Sequence, residues 1–394
     1  MAVLRDREQN HNFFTSFHFS SNMDKKILGL SVGIAVIVII AVVLITPNLE
    51  SITSQKHNEK IGLVINTPNP SISLQDLNQI YSDASSTGIG RSNVYLFWNI
   101  VEPVRGEFNW EQSDILMSFN KNNDLKVTLF FSVINGETLG PFPNWIGKPS
   151  LNAIGEDRLV NVLDAILSRY DIIDTVVIAG ETESQFRYHE QNIPVYKELF
   201  NGVYTKLKEK HPDVKIGNAF ALHNVLNKNL EHVVTDLALG DFVAFSYFPV
   251  DNLNDIIKTP QEAKGDLQKI FEIIPDKKIG LFEISWSTSD FVGGNNTSQK
   301  MFLEKSFEFY TENESKIEFL TWYRQYDRPD GTCVIEKPEI GDESIDIGGG
   351  SSLGSSEYVI ERLSHYICSS GLVDVNGIPK PSWNEFKNQI EMIN

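Results

Sequence analysis

Cysteine is scarce in this chain, two in 394 residues, and both, Cys333 and Cys368, fall in its last quarter. No Cys-x-x-Cys, His-Glu-x-x-His or Gly-x-x-x-x-Gly-Lys occurs anywhere. Those absences exclude a zinc ribbon, a zincin-type metal centre and a P-loop nucleotide site, and no metal or other cofactor is expected. Basic residues are in deficit as well: 34 Lys and Arg stand against 52 Asp and Glu, a net charge of −18. Binding a phosphate backbone needs basic surface, so no nucleic-acid partner is expected. Charge of either sign is missing from Ile27 to Thr46, a run of ~20 residues that, at about 1.5 Å per residue, covers a hydrocarbon core of roughly 30 Å. The run is longer than a signal-peptide core and no Ala-x-Ala type site follows, so it reads as an uncleaved transmembrane helix. Lys25 and Lys26 precede it, whereas Pro47 to Glu50 holds no basic residue. The positive-inside bias therefore puts residues 1–26 in the cytoplasm as a short segment and the bulk of the chain outside, as a single-pass protein of the cell membrane.

A polar linker, residues 47–60, leads into one domain over 61–394, read as a monomer. From Ile61 onward short apolar runs alternate with amphipathic stretches, the pattern of βα units. Strands are predicted at Ile61–Ile65, Asn93–Phe97, Lys126–Val133, Thr175–Ala179, Lys215–Asn218, Phe242–Tyr247, Lys278–Phe282 and Ile317–Thr321. Crossover helices are predicted at Ser73–Ser86, Glu111–Asn122, Glu156–Tyr170, Val195–Lys210, Val225–Ala238, Pro260–Ile274, Thr297–Glu312 and Glu357–Cys368, with Ser73 and Thr297 as N-caps. Eight such units suit an α/β (β/α)8 TIM barrel preceded by a single transmembrane helix. A doubly wound sheet would show a Gly-rich turn after its first strand, and the turn here is Asn66-Thr67-Pro68-Asn69-Pro70.

Chemistry concentrates at two strand ends. The apolar run Ile279–Phe282 delivers Glu283, and Thr175–Ala179 followed by Gly180 delivers Glu181. In a parallel barrel the C-terminal strand ends carry catalysis, so each Glu is either a nucleophile or proton carrier, or a residue that merely leaves the core there. Glu183, two residues on, is the weaker alternative to Glu181. Sugar faces stack on aromatic rings, which makes Trp98, Tyr247, Trp286 and Trp322 candidate substrate-binding residues, with Asn218 and His223 behind them. Phe142 and Trp145, in the third loop, suit either a cover over the site or ordinary packing. Outside the cell Cys333 and Cys368 are expected to pair as a disulfide that ties the long strand-eight loop to the last barrel helix, the Gly/Ser-rich stretch between them giving the slack.

Several motifs, taken in order, resemble clan A glycoside hydrolases. Arg91, Trp98, Glu102-Pro103, Gly106 and Trp110 follow that family's pattern in the second βα unit, although Arg91, Glu102 and Trp110 also read as staples of a long loop over the barrel mouth, the preferred reading for Glu102 and Trp110. Gly180-Glu181 is similar to the family's Asn-Glu at strand four. Ser246-Tyr247-Phe248-Pro249 is similar to a strand-six motif of the endo-galactanase-like branch, Glu283-Ile-Ser-Trp286 to the strand-seven nucleophile motif, and Gly371-Leu-Val-Asp to Lys380-Pro381 to the family's end. The resemblance implies a membrane-anchored retaining glycosidase acting on a carbohydrate substrate. Glu181 would be the acid/base and the carboxyl that holds a proton, Glu283 the nucleophile, Trp322 an aromatic platform and Arg91 a substrate-binding residue. Gly180 departs from the pattern: the missing Asn would bind the sugar 2-hydroxyl, a contact that strengthens in the transition state. A catalytically inactive glycan-binding barrel at the cell surface is the alternative this departure favours.

Overall fold

A computed structural model describes residues 57–69, 72–333 and 357–394. The expected cytoplasmic segment, the apolar run 27–46 and the linker up to residue 56 lie outside the described residues. Among the described residues no helix is long and apolar enough to cross a membrane.

Eight parallel strands close into a (β/α)8 barrel. In chain order they are β1 (Asn58–Leu63), β2 (Ile89–Tyr95), β3 (Lys126–Asn135), β4 (Ile173–Gly180), β5 (Lys215–Ala221), β6 (Phe242–Tyr247), β7 (Ile279–Ile284) and β8 (Ile317–Trp322). Each pairs with the next, and β8 pairs with β1 to close the ring. A two-residue antiparallel strand, Thr138–Leu139, folds back on the end of β3. The barrel therefore begins at Asn58, inside the expected linker. β2 also starts earlier than predicted and ends at Tyr95, because its polar residues Arg91, Ser92 and Asn93 are buried and paired.

Helix signals in the sequence map onto the shell. Ser73 caps Leu74–Ser85 in a reciprocal capping box with Asp76, an arrangement typically worth about 1 kcal/mol. The predicted cap Thr297 gives way to Asn295, whose side chain accepts from Ser298 N at the head of Asn296–Asn313. The stretch predicted as one helix at Val225–Ala238 is two, Leu222–Lys228 and Glu231–Asp236, broken where Asn229 takes a left-handed conformation.

The eighth crossover helix also differs from expectation. Pro381–Ile393 packs on Asn296–Asn313, with Phe386 against Phe307 at 5.9 Å, and fills that place in the shell. Glu357–Cys368 instead lies across the C-terminal ends of the strands. Its Arg362 pairs with Asp255 after β6, and its Tyr366 donates to the Ser285 carbonyl just after β7. Cys368, in its last turn, is bonded to Cys333, with Cα atoms 5.6 Å apart.

The barrel interior is unusually aromatic. Phe130, Phe242, Phe282 and Phe319 fill it with Val177, Ala219 and Ala244, and Tyr95 lies against them. Phe130 stacks on Phe282 at 5.6 Å. This plug is the floor beneath the strand ends.

Candidate active site

Glu283 owes its direction to a bulge. On β7, Leu281 pairs with Phe245 but Glu283 with Ser246, so Phe282 is an extra residue in the ladder. A bulge lets two successive side chains face one way. Phe282 joins the interior plug and Glu283 follows it inward, where the Tyr95 hydroxyl donates to its Oε1. Asn93 Nδ2 donates to the carbonyl of Phe282 at 2.9 Å, which satisfies the bulged backbone. Glu283 is 5 % exposed, and burial together with the Glu181 charge pushes its carboxyl up to about 8, against the opposing pull of Tyr95 and Arg324.

Glu181 follows directly on β4 and sits at φ 48°, ψ 44°, the left-handed region that a non-glycine residue enters at a cost of about 1–3 kcal/mol. This conformation turns the chain from strand into the short helix Thr182–Phe186. The Glu181 carboxyl is half-buried beside Gly136 and accepts no hydrogen bond among the described residues. Burial, opposed by Lys228 and reinforced by Glu137, raises its pKa. Both carboxyls of the pair thus favour the proton, not Glu181 alone, and the more deeply buried Glu283 does so strongly.

Glu183 is committed elsewhere. Fully buried, it accepts from Ala221 N at 3.0 Å, Asn224 Nδ2 at 3.3 Å and Ser184 Oγ at 3.0 Å, tying the end of β4 to the end of β5. Burial and the Glu181 charge push it up to about 7.

Strand parity places the other expected site residues away from the mouth. Side chains alternate along a strand, and the inward set is Gly217 and Ala219 on β5, Ala244 and Ser246 on β6, and Phe319 and Thr321 on β8. Asn218, Tyr247 and Trp322 therefore point outward to the helices. Asn218 accepts from Tyr196, Tyr247 donates to Asp266, and Trp322 packs on Phe302 at 6.0 Å. Trp286 also packs on Phe302, at 5.4 Å. Trp98 lies in the short helix Trp98–Val101, enclosed by Phe131, Phe142 and Trp145, and donates to Glu102. All four aromatics are essentially inaccessible and present no face to a ligand. Glu102 also accepts from Gly106 N, and its carbonyl from Trp145, so it staples the loop.

Arg91 faces inward but near the N-terminal ends of the strands. It pairs with Asp174 at 2.8 Å, donates to the Glu59 carbonyl and Thr128 Oγ1, and stacks over Phe319. The aromatic plug separates it from Glu283. His223 is stacked on Phe248, and burial with two nearby lysines pushes its pKa down to about 3, which keeps it neutral.

Residues that sequence reasoning missed surround Glu283 instead. Tyr95 shares the inward parity of Arg91 and Asn93, so counting by twos from Arg91 would have found it. Tyr323 continues the inward parity of Phe319 and Thr321 one step beyond β8; its backbone N donates to the Ile284 carbonyl, and its ring packs on Phe248 at 5.6 Å. Arg324 donates to the Tyr323 hydroxyl. Among the described residues no cluster of His, Cys, Asp and Glu has the geometry of a metal site.

No family profile matches the chain and no curated protein matches it. Solved structures do. A GH5_18 variant from Streptomyces cattleya, in complex with Manβ1-4GlcNAc, is 12 % identical with a TM-score of 0.59, over 86 % of this chain and 81 % of that one. A family 39 glycoside hydrolase from Bacteroides cellulosilyticus WH2 is 15 % identical with a TM-score of 0.57, over 89 % and 66 %. A psychrophilic family 10 endo-β-1,4-xylanase is 16 % identical with a TM-score of 0.54, over 84 % and 96 %. At such identities the likeness is one of fold: a TIM barrel resembling those of clan A glycoside hydrolases.

Proposed function

We propose that the chain is a retaining O-glycoside hydrolase. The observation that carries this reading is the pair Glu181 and Glu283: two proton-favouring carboxyls at the C-terminal ends of β4 and β7, near enough for the charge of one to act on the other. Hydrolysis of a glycosidic bond needs one carboxyl to protonate the departing oxygen and one to attack the anomeric carbon. Glu181, unencumbered and half-open, donates its proton to that oxygen. Glu283, held by Tyr95 from beneath, forms the ester to the sugar. Glu181 then takes a proton from water, the water oxygen attacks the anomeric carbon, and the Glu283 carboxylate leaves.

The apolar run 27–46 and the flanking charges support a membrane anchor, with the barrel outside the cell and acting as a monomer. Protease added to intact cells should degrade the barrel; survival until the cells are lysed would refute this orientation. The catalytic reading is tested with the full chain in mild detergent against a panel of oligosaccharides. Release of reducing ends, lost in Glu283→Gln, is expected; absence of any release refutes hydrolysis.

A second reading, a barrel that binds glycan without turnover, is favoured by Gly180 and by the protonated resting state of Glu283. Sugar binding without release of reducing ends would establish it.

A further inference from the structure

Two arginines just beyond β8 make no ion pair among the described residues: Arg324 feels the carboxyls of Glu283 and Asp327 only at a distance, and Arg328 lies near Arg324 and Tyr323. Arg324 is 5 % exposed and directly follows Tyr323. It donates to the Tyr323 hydroxyl and faces Cys333 Sγ at 3.9 Å, while its Nε has no partner. Arg328, half-buried, also has a buried Nε without a partner. Among the described residues neither forms an ion pair. Asp327, between them, is taken by Lys380 at 2.7 Å and by Gly371 N. Three other described arginines are ion-paired, Arg91 with Asp174, Arg169 with Asp114 and Arg362 with Asp255, while Arg158 and Arg187 lie over the rings of Trp145 and Tyr188.

Two unpaired guanidinium groups in one buried neighbourhood are costly, since each loses water and repels the other. Arg328 registers both effects, its pKa pushed down by burial and by the Arg324 charge. Tuning of Glu283 accounts for Arg324 at most, because Arg324 and Glu181 are the charges that act most on that carboxyl. Arg328 has no task in the two-carboxyl mechanism. A planar fork of N–H donors suits a carboxylate or an oxyanion of sulfur, which it binds in bidentate fashion.

We infer that Arg324 and Arg328 form an anion subsite beside Glu283, and that the glycan taken there carries a uronate carboxylate or a sulfate ester on the sugar next to the nucleophile. The inference rests on the sugar-binding reading above and names its substrate class.

The test uses the full chain in mild detergent and matched sugars: glucose, glucuronate and glucose 6-sulfate, with galactose, galacturonate and galactose 6-sulfate beside them, titrated by calorimetry. At least one acidic sugar should bind ten-fold or more tighter than its neutral partner, and the advantage should shrink as sodium chloride is raised. Which acid keeps it tells carboxylate from sulfate. Arg328→Gln, at a half-buried position, should bring the ratio close to one; Arg324→Gln should do the same if it folds. Equal binding of acidic and neutral sugars, with neutral oligosaccharides cleaved, overturns the anion subsite and leaves the hydrolase standing. A preference that survives Arg328→Gln while the melting temperature falls overturns it too, because the guanidinium then pairs within its own chain. Binding and cleavage of no sugar at all removes both readings.

Discussion

A Cβ built on Gly180 would stand 2.6 Å from Cε2 and 2.7 Å from Cζ of Phe130. The space that an Asn side chain would need beside Glu181 is thus filled by an aromatic edge from β3. Gly180 is required by close approach, and the lost polar contact is the counterpart of the interior plug that Phe130 builds with Phe282.

Gly180→Asn alone should therefore overpack the barrel and destabilise it by about 1–3 kcal/mol. Phe130→Ala alone should leave a cavity and also destabilise. Combined, the two should be less damaging than their sum, with a coupling of about 0.5–3 kcal/mol, because each relieves the other's defect. Melting curves of the two single variants and the double variant measure this. Strict additivity would show that Phe130 is not what excludes a side chain at position 180.

Glu283 makes stability depend on pH in the reverse of the usual carboxylate sense. Its folded pKa is about 8 against an ordinary value of 4.5. Between these values the folded chain holds a proton that the unfolded chain has released, so stability falls as pH rises, by up to about 1.4 kcal/mol per unit. The contribution is complete below the ordinary value and gone above the folded one. Glu283→Gln keeps an acceptor for Tyr95 and removes the titration. The variant should melt a few degrees above wild type near pH 8.5 and level with it near pH 4, while losing turnover. A variant less stable than wild type at both pH values would mean that the Glu283 carboxyl is not the buried acid described here.

The same titration shapes the rate. Attack needs Glu283 ionised while Glu181 keeps its proton, and the pair titrates as one coupled unit. For the wild type, kcat/KM should therefore be bell-shaped in pH, its alkaline limb falling as pH passes about 8, where the pair gives up its last proton. A rate that stays level well above pH 8 would contradict this.

Most of the barrel was legible because buried parallel strands write themselves as short apolar runs. The runs at Lys126, Lys215, Phe242 and Ile317 mark observed strand starts. The two glutamates were legible for the same reason, as charges where an apolar run stops. The aromatic lining was not. Trp98, Tyr247, Trp286 and Trp322 are conspicuous in the sequence, but whether a strand-end ring faces the axis or the helices depends on parity, and parity depends on bulges. The bulge at Phe282 shifts Glu283 inward, and nothing in the letters Leu-Phe-Glu-Ile announces it. The role of Glu357–Cys368 was hidden differently: an amphipathic pattern states that a helix packs, not on which side of the barrel.

Cys333 and Cys368 close a separation of 35 residues, a loop for which chain entropy alone gives roughly 4 kcal/mol. Thiol titration of the unfolded, unreduced protein should find no free cysteine, and reduction should lower the melting temperature. Because Arg324 faces Cys333 Sγ, Cys333→Ser with Cys368→Ser should also weaken binding of acidic sugars more than of neutral ones. Two free thiols in the starting protein would remove the premise.

The roles within the carboxyl pair separate by leaving group. Glu181 is half-open, with no hydrogen bond to its carboxyl among the described residues, as a group must be that reaches for the oxygen of an incoming glycoside. Glu283 is deep and held by Tyr95, as a group must be that meets the anomeric carbon from below. Glu181→Ala should therefore still cleave an aryl glycoside whose leaving group needs no proton, while losing ordinary oligosaccharides by about 10²–10⁴-fold, the usual worth of general acid–base help. Added azide should partly restore its turnover, since an anion attacks the glycosyl ester without a base. Glu283→Gln should cleave neither substrate, and azide should change nothing. If the two variants fail equally on the activated glycoside and azide rescues neither, the carboxyls do not divide the work in this way, and both act as hydrogen-bond partners to a bound glycan.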